Sequence, residues 1–386
     1  MVDQNAITRA VSRIPIVLLP LFLAAGWAGE VVERIPRWRE STVMVAAGPA
    51  EDWGYLAFPA LLDRGTELLV SFKRARSHAQ DPGAALDLVR LDPATGRASG
   101  RATLARIEGQ IMQMGEWVRF ANGDLANYID AQLPGKVTTR AGLRVVRSGD
   151  GGRTFGPPER VGPVDGVEYG YAFDHITEGG TTWMLAMTFA NLPGGQPAPN
   201  ARPPAGSVDV LRTEDHGRTW RFVRNLSREF GDVPINESAF HRHRAGFLVT
   251  TRGYDNRQRL HLTDGDFRVV RQTDLTAAHG AFITSHVGRP RLFARGEGVY
   301  LLGRNTREKG RPMQLALFRL DVAALRVASF AVLDNAEHAR VTDGYYAVPW
   351  FRGEGAETRL HLVTYKGIDR RPPDLVHLAY RWDEVK

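Results

Sequence analysis

From about residue 40 onward, short apolar runs alternate with Gly, Asp and Pro turns, and no long stretch keeps a helical period. The pattern predicts strands throughout. One strand pattern also repeats: Leu88-Val-Arg-Leu-Asp92 resembles Val145-Val-Arg-Ser-Gly-Asp150, Val210-Leu-Arg-Thr-Glu-Asp215, Leu317-Phe-Arg-Leu-Asp321 and Leu378-Ala-Tyr-Arg-Trp-Asp383, with Leu260-His-Leu-Thr-Asp264 as a weaker relative. With Arg90, Arg147, Arg212, Thr263, Arg319 and Arg381 as markers, the intervals are 57, 65, 51, 56 and 62 residues. Six near-equal units over roughly 345 residues are what six four-stranded antiparallel blades require, since propellers carry about four to eight such blades. The expected fold is therefore all-β, a six-bladed β-propeller over residues 40–386, with the marker as the third strand of each blade. A β-sandwich or a two-domain all-β protein is the alternative, and it predicts no regular period. In a closed ring every blade packs on two neighbours, so no internal domain boundary is expected.

Two of the repeats run into closely similar octapeptides, Ser148-Gly-Asp-Gly-Gly-Arg-Thr-Phe155 and Thr213-Glu-Asp-His-Gly-Arg-Thr-Trp220. Each reads as a hairpin turn in which Asp150 or Asp215 accepts backbone N–H bonds and Gly152 or Gly217 takes a positive φ, while Phe155 or Trp220 folds back as an apolar plug. These octapeptides resemble the Asp-boxes of the sialidase-like β-propellers. The motif is specific for fold and nearly silent on chemistry, because such boxes sit on the rim, away from the substrate.

Composition narrows the function classes. A net charge of +7 invites a nucleic-acid reading, but the 43 acidic residues are scattered among the 50 basic ones with no contiguous Lys/Arg stripe, so no nucleic-acid partner is expected. The absence of cysteine excludes disulfides, thiolate metal sites and a cysteine nucleophile. No His-Glu-x-x-His pattern or phosphate loop occurs, so neither a metal nor a cofactor is expected. Residues 1–28 resemble a signal peptide: Arg9 and Arg13 precede the apolar run Ile14–Ala25, and Gly26-Trp-Ala28 offers small residues for cleavage. That run is shorter than the ~20 residues a span wants. The expectation is export, to the periplasm or outside the cell, with an uncleaved anchor as the alternative.

The resemblance to sialidases also implies site residues. Sialidases of this fold use three arginines on the substrate carboxylate, an aspartate acid/base, and a tyrosine nucleophile activated by a glutamate, which departs from the two-carboxylate scheme of most glycosidases. A neutral tyrosine avoids the repulsion that an anionic nucleophile meets from the substrate's own carboxylate. Asn236-Glu-Ser-Ala-Phe240 followed by Phe247-Leu-Val-Thr-Thr-Arg-Gly253 resembles the stretch with the activating glutamate and a triad arginine, which implies these roles for Glu237 and Arg252. Thr342-Asp-Gly-Tyr-Tyr-Ala-Val-Pro-Trp350 resembles the nucleophile segment; it implies Tyr345 as nucleophile, with Tyr346 as the one-residue slip and Asp343 orienting the sugar. Asp81, in Ser77-His-Ala-Gln-Asp-Pro-Gly83, takes the acid/base place, and His78 beside it is a candidate for sugar contact or proton transfer. Arg311 is the first choice for a further triad arginine, with Arg289 and Arg291 as rivals. One departure is plain: where the family carries its first arginine, Tyr55-Leu-Ala-Phe-Pro59 has Ala57, so Lys73, Arg74 or Arg76 would have to substitute.

Together these readings imply a retaining exo-glycosidase acting on a sialic acid or another terminal, acidic sugar. A carbohydrate-binding propeller without catalysis and a polysaccharide lyase on the same fold stay open as alternatives, as does the oligomeric state.

Overall fold

The computed structural model describes residues 31–135, 139–188, 207–306 and 312–386. The expected targeting segment, residues 1–28, lies outside the described residues, as does Arg311. Six sheets follow one another along the chain, each wound outward from an inner strand in simple antiparallel order. The inner strands are Tyr55–Asp63, Ile111–Arg119, Tyr169–Glu178, Ile235–His243, Gly288–Arg295 and the interrupted pair Val341–Gly344 and Val348–Arg352. The expected six-bladed propeller is the fold observed, and each marker segment lies on the third strand of its blade. The ring is closed by Arg39–Val45, which pairs antiparallel with Asp374–Arg381 as the outer strand of the sixth blade. Val32–Arg34 adds a parallel edge strand to the fifth blade.

The core lies between blades rather than at one centre. Leu302, Leu315 and Leu317 of the fifth blade pack against Leu360, Leu362 and Leu378 of the sixth, all buried. Inner strands are covered by neighbours on both faces, so Ile111–Arg119 is buried at every position but its last. Outer strands face water, and Ala98–Ala105 is exposed along most of its length. Among the described residues the helices are single turns, and no helix is long and apolar enough to cross a membrane.

The two octapeptides form the turns their sequence predicts. Asp150 accepts from the backbone N–H of Arg153 (2.9 Å) and Thr154 (3.0 Å) and from the Thr154 hydroxyl (2.7 Å), while Gly152 N–H donates to Ser148 Oγ at 2.7 Å. Asp215 is bonded likewise by Thr219 N–H (2.9 Å) and Oγ1 (2.6 Å). Gly217 has φ 75°, and a Cβ there would lie 2.4 Å from the Phe120 ring, so the turn excludes a side chain both by conformation and by space. Trp220 is buried and donates its indole N–H to Tyr128 Oη at 3.1 Å. Two of the marker arginines reach the next blade: Arg90 of the first blade donates to the Gly152 carbonyl of the second at 2.7 Å, and Arg147 of the second donates to Gly217 O of the third at 2.5 Å. Each is a charge-assisted staple between adjacent blades.

Candidate active site

Every inner strand breaks register toward its N-terminal end. Register shifts fall between Ala57 and Ala60, Met112 and Met114, Ala172 and Asp174, Ile235 and Ser238, Gly288 and Arg291, and Val341 and Asp343. A β-bulge puts an extra residue on one strand and turns its side chain away from the regular alternation. Phe58 (φ 55°), Arg289 (φ 45°) and Tyr345 (φ 69°) are bulky residues at positive φ within or beside these shifts. Strained backbone of this kind concentrates at functional sites.

Glu237 is the hub of the cluster these bulges build. It is 3% exposed, and its Oε2 accepts from Arg252 Nη1 (2.5 Å), the Arg289 backbone N–H (3.0 Å) and the Tyr346 hydroxyl (3.1 Å). Its Oε1 accepts from the Tyr171 hydroxyl at 3.0 Å. Burial alone would raise this carboxyl, but the guanidiniums of Arg252, Arg289 and Arg304 overcome it and hold it down to about 2. The Tyr346 hydroxyl is raised, by burial first and by the Glu237 charge next. Arg252 and Arg304 each reach the Tyr346 oxygen at 3.4 Å, and the Arg304 guanidinium lies 4.8 Å from the centre of the same ring. Among the described residues Arg304 has no carboxylate partner.

A second layer lies beneath. Arg289 donates to Tyr171 Oη (2.8 Å) and to Glu116 Oε2 (2.6 Å), and Arg291 binds both Glu116 oxygens at 3.0 and 2.7 Å. All three of Glu116, Arg289 and Arg291 are buried. Burial acts to raise the Glu116 carboxyl, yet Arg291, His175 and Arg289 hold it down to about 2, whereas burial wins at Asp174 and lifts it to about 6. Glu116, Asp174 and His175 have metal-ligand spacing, but Arg291 already bridges Glu116 and Asp174 (3.4 Å), so the cluster is an ion-pair network.

Several sequence expectations change here. Tyr345 does not meet Glu237: its hydroxyl donates to Asp334 at 2.8 Å in the core between the fifth and sixth blades, and the residue that turns to Glu237 is Tyr346. The positive φ at Tyr345 and the break in the inner strand reverse the facing that regular alternation would assign. Asp81 is 5% exposed and its oxygens bind backbone, accepting from Arg76 N–H (2.6 Å) and Gly83 N–H (3.2 Å), so both of its oxygens are engaged in holding its own loop. Arg291 is spent on Glu116 and is not free for a substrate. Arg252 lies beside Glu237, as the resemblance implied. The three candidates to stand in at Ala57 are each engaged elsewhere: Arg74 pairs with Asp87 (2.9 Å), Arg76 stacks 4.3 Å from the Trp53 ring, and Lys73 Nζ is tied to Gln113 Oε1 (2.6 Å) and His78 O (2.7 Å). Next to Ala57 stands Phe58, whose ring lies 5.5 Å from Tyr346, 5.2 Å from Tyr365 and 5.1 Å from His78. His78 and Asp343 meet at 2.7 Å.

Sequence reasoning missed Arg304, Phe58 and Tyr171. For Arg304 a signal existed: Leu301-Leu-Gly-Arg-Asn305 ends a second strand 52 residues after Arg252 ends the previous one, which is one blade period.

Lys73 is fully buried, and burial lowers its ammonium to about 7 even though Asp81, Asp130 and Asp343 favour the charged form. An unfolded lysine keeps its proton to about pH 10. Below pH 7 both states are protonated and the full cost of burying the charge is present; between pH 7 and 10 the unfolded state binds the extra proton, so this cost falls as pH rises. Relative to Lys73→Met, the wild-type chain should gain up to about 1.4 kcal/mol of stability per pH unit across that window. Urea unfolding at several pH values measures it, and parallel curves for the two proteins would contradict it.

No protein-family model matches the chain, and no curated protein matches it by sequence. Solved structures do match its fold. A Dyadobacter fermentans protein of unknown function superposes with a TM-score of 0.65 at 14% identity, over 90% of this chain and 99% of that one. A mutant of the NanB sialidase from Streptococcus pneumoniae gives 0.60 at 10% identity, over 89% and 71%. Trypanosoma rangeli sialidase in complex with 2,3-difluorosialic acid, a covalent intermediate, gives 0.57 at 9% identity; the match covers 91% of this chain but 60% of the trypanosomal one. These likenesses establish a fold shared with sialidases.

Proposed function

We propose that the protein is a retaining exo-glycosidase for a terminal sugar that carries a carboxylate, of the sialic acid type, with Tyr346 as nucleophile and Glu237 as its base. The observation that carries the reading is the hydrogen bond from the buried Tyr346 hydroxyl to Glu237, with two arginines converging on the phenol oxygen. A phenol pushed up by burial needs a base at contact distance to become nucleophilic. Glu237 is a weak base while Arg252, Arg289 and Arg304 hold it ionised. A substrate carboxylate settling on Arg252 and Arg304 offsets part of that positive charge, so substrate binding itself strengthens the base. The sialidase captured as a covalent intermediate on the same fold supports a two-step reaction.

With Ala57 in place of the first arginine and Phe58 next to it, the carboxylate is held by a two-arginine clamp, and a flatter, less polar face of the sugar packs on Phe58. The test is a panel of aryl glycosides of sialic, uronic and neutral sugars. Turnover is expected for the carboxylate-bearing members alone. Arg304→Met should raise KM for them by about 10–100-fold, the worth of one charge-assisted hydrogen-bonded contact. Hydrolysis of neutral sugars that Arg304→Met leaves untouched would remove the clamp. The lost arginine and the enclosed Asp81 also favour a second reading, a propeller that binds acidic glycans without cleaving them; it predicts binding to the same sugars, weakened by Arg304→Met, with no product.

A further inference from the structure

The proposed reaction needs a proton donor for the leaving group, and Asp81 is walled into its loop. Three residues earlier the same loop carries His78, whose side chain is half exposed, 53% against 18% for its partner Asp343. We infer that His78, oriented by Asp343, is the acid/base of this site in place of Asp81; the inference rests on the hydrolase reading above and names the group that reading lacks.

Four observations carry it. First, the imidazole is placed: the buried Phe58 ring touches both His78 (5.1 Å between ring centres) and Tyr346 (5.5 Å), so acid and nucleophile stand on one aromatic floor. Second, the ring is oriented, with Nδ1 2.7 Å from Asp343 Oδ2 and 3.0 Å from Tyr55 Oη. Asp343 is in turn fixed by hydroxyl bonds from Tyr55 and, at 3.1 Å, from Tyr365. A carboxylate on Nδ1 selects the tautomer and leaves Nε2 for chemistry, and Nε2 makes no hydrogen bond among the described residues. Third, the backbone is clamped: Lys73 Nζ (2.7 Å) and Gln113 Nε2 (3.0 Å) both donate to the His78 carbonyl. Fourth, Asp81 binds Arg76 and Gly83 N–H groups at the base of the same loop, which makes it a positioning residue for His78.

In the first step the imidazolium Nε2–H gives its proton to the glycosidic oxygen as the bond from that oxygen to the anomeric carbon breaks. The Tyr346 oxygen bonds to the carbon and its proton passes to Glu237. In the second step neutral Nε2 takes a proton from water, the water oxygen bonds to the anomeric carbon, and the departing Tyr346 oxygen recovers its proton from Glu237. The imidazolium is restored, and atoms and charge balance.

The experiment compares His78→Ala, Asp343→Asn and Asp81→Asn on an unactivated alkyl glycoside and a nitrophenyl glycoside of the same acidic sugar, with and without azide. For His78→Ala the alkyl substrate should lose about 10²–10⁴-fold in turnover. The nitrophenyl substrate, whose leaving group needs little protonation, should still give a burst of nitrophenol, and azide, which attacks without a general base, should restore turnover and yield a glycosyl azide. Asp343→Asn should show the same leaving-group dependence at smaller size, and serves if His78→Ala misfolds. Asp81→Asn, which only loosens the loop that carries His78, should show the same leaving-group dependence more weakly than Asp343→Asn. Equal losses on both substrates for the His78 and Asp343 variants, or azide rescue confined to Asp81→Asn, overturn the dyad while the hydrolase stands. Absence of wild-type turnover on every glycoside overturns both.

Discussion

Tyr346→Phe is expected to abolish glycoside turnover, by at least about a thousandfold or about 4 kcal/mol of barrier, while Tyr345→Phe leaves kcat nearly unchanged. The two tyrosines are adjacent, so their contrast isolates the covalent role from packing. Tyr346 presents its hydroxyl to Glu237 at 3.1 Å, and removing that oxygen removes the atom that would bond to the anomeric carbon; among the described residues the other hydroxyl at Glu237 is that of Tyr171. Tyr171 is ill placed as a substitute because its hydroxyl oxygen is also engaged by Arg289 at 2.8 Å. Tyr345→Phe instead removes one of three donors to Asp334, where Lys366 at 2.8 Å and Arg39 remain, and should cost about 1 kcal/mol of stability. Steady-state kinetics on the nitrophenyl substrate, paired with mass spectrometry after exposure to a difluorinated acidic sugar, reads both outcomes: a peptide label on Tyr346 in the wild-type chain and none in Tyr346→Phe. Activity that survives both substitutions would remove the mechanism.

The second large effect is on stability. Glu116→Ala should destabilise the fold by about 3–5 kcal/mol, because it leaves the Arg289 and Arg291 guanidiniums buried without their shared carboxylate. Those arginines are 5% and 8% exposed, and between them they make three bonds of 2.6 to 3.0 Å to Glu116. Asp174 is the one acid left in contact with Arg291, at 3.4 Å, and burial has already raised it to about 6. Replacing part of the cluster, as Glu116→Leu with Arg291→Met, should recover part of the loss, since it removes one of the two stranded charges and leaves Arg289. Urea denaturation of the single and double variants measures the coupling, and additive losses would contradict it. The single variant should also impair turnover, because Arg289 supplies the backbone N–H that holds Glu237 at 3.0 Å.

How much of this was legible in the chain differs by level. Six marker segments at near-blade spacing predicted six sheets, and the octapeptides predicted their own turns down to the positive φ of Gly152 and Gly217. The resemblance of their segments singles out Glu237 and Arg252, and they meet because they sit on the two strands of one hairpin, fifteen positions apart. Arg304 repeats the Arg252 position one blade later and was readable by the same period.

The rest required the closed ring. Alternation along a strand reports which face a residue takes only while the strand is regular, and all six inner strands break register toward their N-terminal ends. That is why no pattern in Gly344-Tyr-Tyr-Ala347 could select Tyr346 over Tyr345, or show that the Phe58 ring packs against Tyr346. Likewise Glu116 and Arg291 are 175 residues apart, and His78 and Asp343 are 265 apart. Local periodicity determined the blades, because burial on a strand is a near-neighbour property. Which side chains meet at the axis was decided by packing six blades into a ring and by the bulges that this packing holds in place.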